Sequence, residues 1–212
     1  MKYTTNGVST FNPLILELEI FKTWDVNPNP GPSDNKKDKI NELCPRISFP
    51  GNGLKLGQWN VSDLTDSKLE QIRLLLTANQ HEIDVLFLIE TFLEPNKFGC
   101  VLQIPGYTFF RKDRQGSKKG GGILAYVADR LKVERITSLE ENELETIWLQ
   151  IHPYKSNRPI LTEAVSRPPS STADTDARLE LNIEAAYLRN QELHVFGDFN
   201  MNFFDPAYKK HR

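Results

Sequence analysis

Hydrophobic and polar positions along the chain fall into short blocks, each with a recognisable period. Residues 54–60, Leu-Lys-Leu-Gly-Gln-Trp-Asn, alternate and end on Asn60, while the apolar run through residues 84–89 ends on Glu90; both are strand patterns. Between them Thr65 or Asp66 can cap a helix in which Leu69, Ile72 and Leu76 recur at spacings of three and four, ending near Asn79. A strand, a helix and a strand within about 35 residues make a βαβ unit, so Asn60 and Glu90 should end at the same rim of a sheet. Further strands are predicted at 121–127, where glycines lead into an apolar run, at 145–151, where Ile147, Leu149 and Ile151 share a face, and at 160–165. Leu179, Ile183 and Ala186 mark an amphipathic helix over 174–190, and the apolar strand at 193–196 runs into Gly197-Asp198-Phe199-Asn200. No repeat of solenoid period is present.

Residues 1–53 read differently. Residues 24–53 mix Pro, Asn and charge at a density that cannot bury a core, so a flexible leader is expected up to Gly53, with the folded domain spanning 54–212. A chain of 212 residues suffices for one sizeable core. Its net charge of −2 argues against bulk phosphate binding, so any nucleic-acid contact must be local. The best candidate is a basic loop carrying Arg111, Lys112, Arg114, Lys118 and Lys119, although a solvated surface loop explains it equally well. Cys44 and Cys100 share no metal-type spacing and read as reduced thiols, and His81, His152, His194 and His211 are scattered. No apolar run approaches the roughly 20 residues that cross a bilayer. Glu17 and Glu19 interrupt the apolar segment at 11–21, which is wrong for a signal peptide. A soluble intracellular protein with no membrane partner is expected.

Three apolar strands each end on a carboxylate or carboxamide, and the carboxyl ends of strands are where α/β proteins place reactive groups. Glu90 suits a single-carboxylate site for a divalent cation such as Mg²⁺, or Mn²⁺, which keeps several waters. Phosphodiester hydrolysis also needs a base or anchor for the attacking water, a role that Asp198 fits, and neutral donors to the phosphoryl oxygens, a role that Asn60 and Asn200 fit. Singly, each group has a plainer explanation: Asp198 and Asn200 could close an Asx turn, Asn60 could cap the turn after it, and Glu90 could begin a loop.

Trp59-Asn60, Ile89-Glu90-Thr91-Phe92-Leu93, Pro105-Gly106-Tyr107, residues 120–127, Arg167-Pro168-Pro169-Ser170 and Gly197-Asp198-Phe199-Asn200 follow one another in an order that resembles the endonuclease/exonuclease/phosphatase superfamily. More narrowly, the set is similar to the endonuclease domain of LINE-type, non-LTR retrotransposons. The resemblance implies a four-layer α/β-sandwich, incomplete at the C-terminus, and Mg²⁺-dependent nicking of DNA that primes reverse transcription. On matching positions it implies that Glu90 holds the metal, that Asn60 helps to hold metal and phosphate, that Asp198 orients or deprotonates the water, and that Asn200 bonds the phosphate. Two departures stand out. The family carries a tyrosine where this chain has Ser166, and it continues to a further Asp and a Ser-Asp-His that these residues do not contain. The expectation is therefore a degenerate fragment, marginally stable and with little or no nuclease activity of its own.

In the leader, Asp25-Val26-Asn27-Pro28-Asn29-Pro30-Gly31-Pro32 resembles the ribosome-skipping peptides of viruses and some retrotransposon frames, with Asn27 where that pattern has glutamate. A proline-rich linker fits the same residues. The resemblance further implies DNA as partner, a reverse transcriptase domain in the full polyprotein, and nuclear location if the parent element is active. The competing functions are a phosphatase of the same superfamily and a non-catalytic DNA-binding remnant.

Overall fold

A computed structural model describes residues 53–96, 99–114, 120–153, 158–189 and 191–200, together with the strand Leu14–Glu17. Two sheets dominate. The first has the order β1-β2-β3-β5-β4, formed by β1 (Leu14–Glu17), β2 (Lys55–Asn60), β3 (Val85–Ile89), β5 (Ile123–Ala128) and β4 (Tyr107–Lys112). The second has the order β6-β7-β8-β9, formed by β6 (Lys132–Arg135), β7 (Thr146–His152), β8 (Ile160–Ser166) and β9 (Glu192–Asp198). Helices α1 (Asp66–Ala78) and α3 (Ala173–Tyr187) cover the two outer faces, so the layers run helix, sheet, sheet, helix. This is the four-layer α/β-sandwich expected from the sequence.

The β2-α1-β3 unit forms as predicted. The strands pair in parallel with Asn60 opposite Ile89, which brings Asn60 and Glu90 to one rim. Thr65 caps α1 by accepting the Lys68 N–H at 3.3 Å. Leu69, Ile72, Leu75 and Leu76 of α1 pack with Leu86, Leu88, Leu124 and Tyr126 on the outer face of the first sheet. Each such burial contributes about 1.5–3 kcal/mol. Thr172 caps α3 in the same way, and Leu179 and Ala186 bury against the second sheet. Beneath α3, Trp148 Nε1 donates to Asn182 Oδ1 at 2.9 Å, and Asn182 Nδ2 donates to the Leu139 carbonyl at 2.6 Å.

Between the sheets the inward positions of both strand sets interdigitate: Leu56, Val85, Phe87, Ile89, Ile123, Ala125 and Val127 meet Ile147, Leu149, Ile151, Ile160, Ala164 and Phe196. Phe87 and Phe196 stack with centroids 5.2 Å apart.

Several elements depart from the sequence expectation. Arg111 and Lys112, expected in a loop, end strand β4, because Tyr107-Thr-Phe-Phe pairs antiparallel with β5. The charged strand β6 and the one-turn helix α2 (Gly99–Leu102) were not foreseen. Strand β1 lies within the stretch read as leader and pairs in parallel with β2. The skipping-like motif at 25–32 and Cys44 lie outside the described residues. Among the described residues no helix is long and apolar enough to cross a membrane.

Glu163 is buried on β8, between Trp148 and Val195 in register, and neither carboxyl oxygen has a hydrogen-bond partner. Burial pushes its pKa from the ordinary 4.5 up to about 8. The fold therefore holds a proton that the unfolded chain releases between those values, and stability falls as pH rises through that window. Urea midpoints of the wild type should decline from pH 5 to pH 8.5 more steeply than those of Glu163→Gln; equal slopes would place an ionised or solvated carboxylate there. Phe87→Ala, at a position with no exposed surface, should cost about 3–5 kcal/mol in denaturant unfolding.

Candidate active site

The rim where β2, β3, β8 and β9 end gathers the polar groups singled out in the sequence. Asn60 Nδ2 donates across the gap between the sheets to Asp198 Oδ2 at 3.0 Å, joining residues 138 positions apart. The other oxygen, Asp198 Oδ1, accepts the Asn200 N–H at 3.0 Å. That second bond is the Asx turn that the motif alone could explain. Turn and cross-sheet contact thus coexist, one on each carboxylate oxygen. Asn60 Oδ1 accepts both the N–H (3.1 Å) and the hydroxyl (3.2 Å) of Ser62, so its two lone pairs are engaged. Asn60 is placed to orient Asp198; ligation of a cation by its oxygen would require the Ser62 hydroxyl to turn away.

Backbone shape delivers these groups. Gly197, at φ 147°, brings β9 so close to β8 that a Cβ would collide with the Val165 carbonyl. Asn200 takes a left-handed φ of 46°, and its Nδ2 donates to the Arg167 carbonyl at 2.8 Å. Glu90 and Phe92 are left-handed at φ 59° and 54°. Such residues store strain and need surrounding bonds to persist. Here the Glu90 carbonyl accepts the Asp63 N–H at 2.9 Å, while the Thr91 and Phe92 N–H groups donate to the Gly122 (3.2 Å) and Gly121 (2.9 Å) carbonyls. The Glu90 carboxylate has no hydrogen-bond or ion-pair partner among the described residues.

The basic candidates stand elsewhere. Arg111 forks onto Asp113 (3.0 and 2.5 Å) and donates to the Glu94 carbonyl, and Lys112 Nζ donates to the Glu141 carbonyl at 3.1 Å. Arg114 pairs with Glu145. Lys118 and Lys119 lie outside the described residues. His194, in β9, sits 3.1 Å from Glu192 and away from the polar rim groups.

Two residues that sequence reasoning did not place in the site support it. Arg167 is buried, forks onto Asp176 at 2.7 and 2.9 Å, and donates through Nη1 to the Phe199 (3.1 Å) and Asn200 (3.2 Å) carbonyls. Its signals in the sequence were its place directly after an apolar strand and the Arg167-Pro168-Pro169-Ser170 motif. Glu145 accepts from Arg114 and from the Gly122 N–H (3.0 Å), and only its position before an apolar strand marked it. Ser166, where the resemblance has tyrosine, is buried opposite Asp198 and donates its N–H to the Glu145 carbonyl at 2.9 Å.

Comparison with known proteins gives the site its family. Residues 57–212 match the model of the Endonuclease/Exonuclease/phosphatase family. The chain belongs to that family. No curated protein matches the chain. Among solved structures of the fold, the AP endonuclease LMAP from Leishmania major superposes with a TM-score of 0.55 at 16% identity, over 82% of this chain and 65% of that one. The human Nocturnin catalytic domain gives 0.48 at 19% identity over 72% and 65%. The endonuclease domain of TRAS1, a telomere-specific non-LTR retrotransposon, gives 0.47 at 18% identity over 68% and 58%. In length, the chain therefore spans 58% to 65% of these three proteins.

Endonuclease/exonuclease/phosphatase enzymes generally depend on a divalent metal. Among the described residues no group of three or more His, Cys, Asp and Glu could hold one. Mg²⁺ binds through one or two carboxylates and keeps its waters, so it needs no such cluster. Glu90 offers an unpartnered carboxylate on this rim, a donor type that a divalent ion takes.

Asn60→Asp would set two carboxylates against each other at the present 3.0 Å contact. One of the pair should then hold its proton above the ordinary carboxylate range, seen by carbon-13 carboxyl titration. Two carboxyls titrating independently in the ordinary range would show that the cross-sheet contact does not persist in solution.

Proposed function

We propose that the domain is a metal-dependent phosphodiesterase that nicks DNA as part of a retrotransposon polyprotein. The observation that carries this is the Asn60–Asp198 bond across the sheets, on the rim where the Glu90 carboxylate stands without a partner. The ordered motifs that resemble non-LTR endonucleases support the choice of DNA over a small phosphoester.

Each side chain has a chemical task. Asp198 is fixed at both oxygens by neutral donors, and each oxygen retains a second lone pair for the attacking water. As the water oxygen bonds to phosphorus and a P–O ester bond breaks, Asp198 orients that water or takes its proton. Asn60 holds the carboxylate in that pose. Asn200 has one Nδ2 hydrogen left, beyond the one given to Arg167, to offer a phosphoryl oxygen. The divalent cation, held by Glu90, would neutralise charge on the phosphoryl oxygens.

DNA would be the partner, with a reverse transcriptase on the same polyprotein. Arg111, Lys112 and Arg114 are already engaged by protein groups, so phosphate contacts would fall more heavily on Lys118 and Lys119.

The test is relaxation of supercoiled plasmid with Mg²⁺, using the chain as it stands and the chain extended after Arg212 by a family C-terminal segment. Nicking should occur in the extended form and disappear with EDTA or Glu90→Ala, a loss of at least about 100-fold. Absence of nicking in both forms, or nicking that survives Glu90→Ala, would sink the proposal. Phosphate release from small phosphomonoesters without nicking would point to the phosphatase alternative.

A further inference from the structure

Glu145 bonds to both halves of the rim, through its backbone and through its side chain. Through its backbone it belongs to the second sheet: its carbonyl accepts the N–H of Ser166, the register partner of Asp198. Through its side chain it reaches the first sheet. Oε2 accepts the Gly122 N–H at 3.0 Å, and Arg114, just beyond β4, clamps the same carboxylate through Nε and through Nη2 (3.1 Å to Oε2). The Gly121 and Gly122 carbonyls then hold the Thr91 and Phe92 amides, the two residues after Glu90.

The approach of this strap is unusually close. Gly120, Gly121 and Gly122 all take left-handed φ values (106°, 69° and 82°). A Cβ on Gly121 would collide with the Glu145 carboxylate and the Arg114 guanidinium, and one on Gly122 would lie 2.9 Å from Thr91 Oγ1, which is buried and has no partner. Glycine is needed here so that the carboxylate can touch backbone. Both partners of the Glu145–Arg114 pair are largely buried, with side chains 14% and 17% exposed. A buried carboxylate held between a backbone amide and a guanidinium makes a stiff link, since breaking it leaves a charge unpaired.

From this geometry we propose that Glu145 is a positioning residue: its carboxylate, braced by Arg114, sets the place of Glu90 relative to Asp198. It touches no reacting atom. It acts by holding the Gly121–Gly122 strap, which in turn holds the left-handed turn carrying Glu90. The inference rests on Glu90 being the cation ligand, as proposed above.

Manganese binding to the full chain, without DNA, tests it; free Mn²⁺ is read by electron paramagnetic resonance. Glu145→Ala should weaken Mn²⁺ binding by about 10-fold, the usual cost of losing a residue that orients a ligand. Glu145→Gln keeps an oxygen for the Gly122 N–H and should recover most of that loss. Amide exchange at Thr91 and Phe92 should accelerate in Glu145→Ala alone. Should Glu145→Ala fail to melt cooperatively, Arg114→Gln, which loosens the same carboxylate, decides the matter with an expected loss of about threefold. Unchanged Mn²⁺ affinity in the folded Glu145→Ala, or in Arg114→Gln where that variant decides, overturns the proposal. Glu90→Gln serves as the control. If it leaves Mn²⁺ affinity intact, the assignment of Glu90 fails first and the role of Glu145 falls with it; if it abolishes binding while Glu145→Ala does not weaken it, only the positioning role is lost.

Discussion

Face-to-face packing of the two sheets is the constraint on which the rest depends. Each sheet alone exposes an apolar face; together they bury Phe87 against Phe196 and align strand ends from β2, β3, β8 and β9 along one rim. Only that alignment brings Asn60 within hydrogen-bond reach of Asp198, since the two residues are 138 positions apart and belong to different sheets. The chemistry of the rim is therefore a property of the core. A change that loosened the sheet interface would separate the acceptor from its orienting donor before it altered either residue.

The rim also concentrates backbone cost. Among the described residues, Ser62, Asp63, Glu90, Phe92 and Asn200 are the non-glycine residues at positive φ, and all lie in the loops that follow β2, β3 and β9. Left-handed conformations of such residues cost on the order of 1 kcal/mol or more each, and they persist only where neighbours over-determine them. Here the loops bond to one another: Asp63 and Leu64 to the Glu90 and Thr91 carbonyls, and Thr91 and Phe92 to the glycine strap. Rigidity at the rim comes from this mutual bracing, which fixes Glu90 more tightly than a free loop could.

Much of this was legible in the sequence, for a definite reason. Strands β2, β3, β5, β7, β8 and β9 are rich in apolar residues because one or both faces are buried, and α1 and α3 carry periodic Leu and Ile because one face is. Burial writes itself into composition. What stayed hidden was set by polar bonds at a distance. Strand β6, Lys-Val-Glu-Arg, has only a weak apolar signal and is held by its pairing with β7. Lys112 and Arg114 looked like part of a basic loop because Glu141 and Glu145, which engage them, lie about thirty residues away, while Arg111 is held locally by Asp113. Glu163 gave no sign of burial, since nothing in Leu-Thr-Glu-Ala-Val separates an outward glutamate from one sealed beneath a helix.

The same consideration changes how the short motif at Asp198 should be weighed. An Asx turn and a reactive carboxylate are usually set against each other as explanations of an Asp-x-Asn sequence, yet a carboxylate has two oxygens and can serve both. Oδ1 closes the turn with Asn200, which fixes the side-chain torsion; Oδ2 is then presented to Asn60 in a single orientation. In the reaction proposed above, the turn would preorganise the carboxylate before any substrate arrives and lower the entropy lost when it meets water. Arg167 extends the restriction to the following backbone by holding the Phe199 and Asn200 carbonyls from a buried position. Local turn chemistry and long-range site chemistry are two uses of one group, and the geometry of the first makes the second possible.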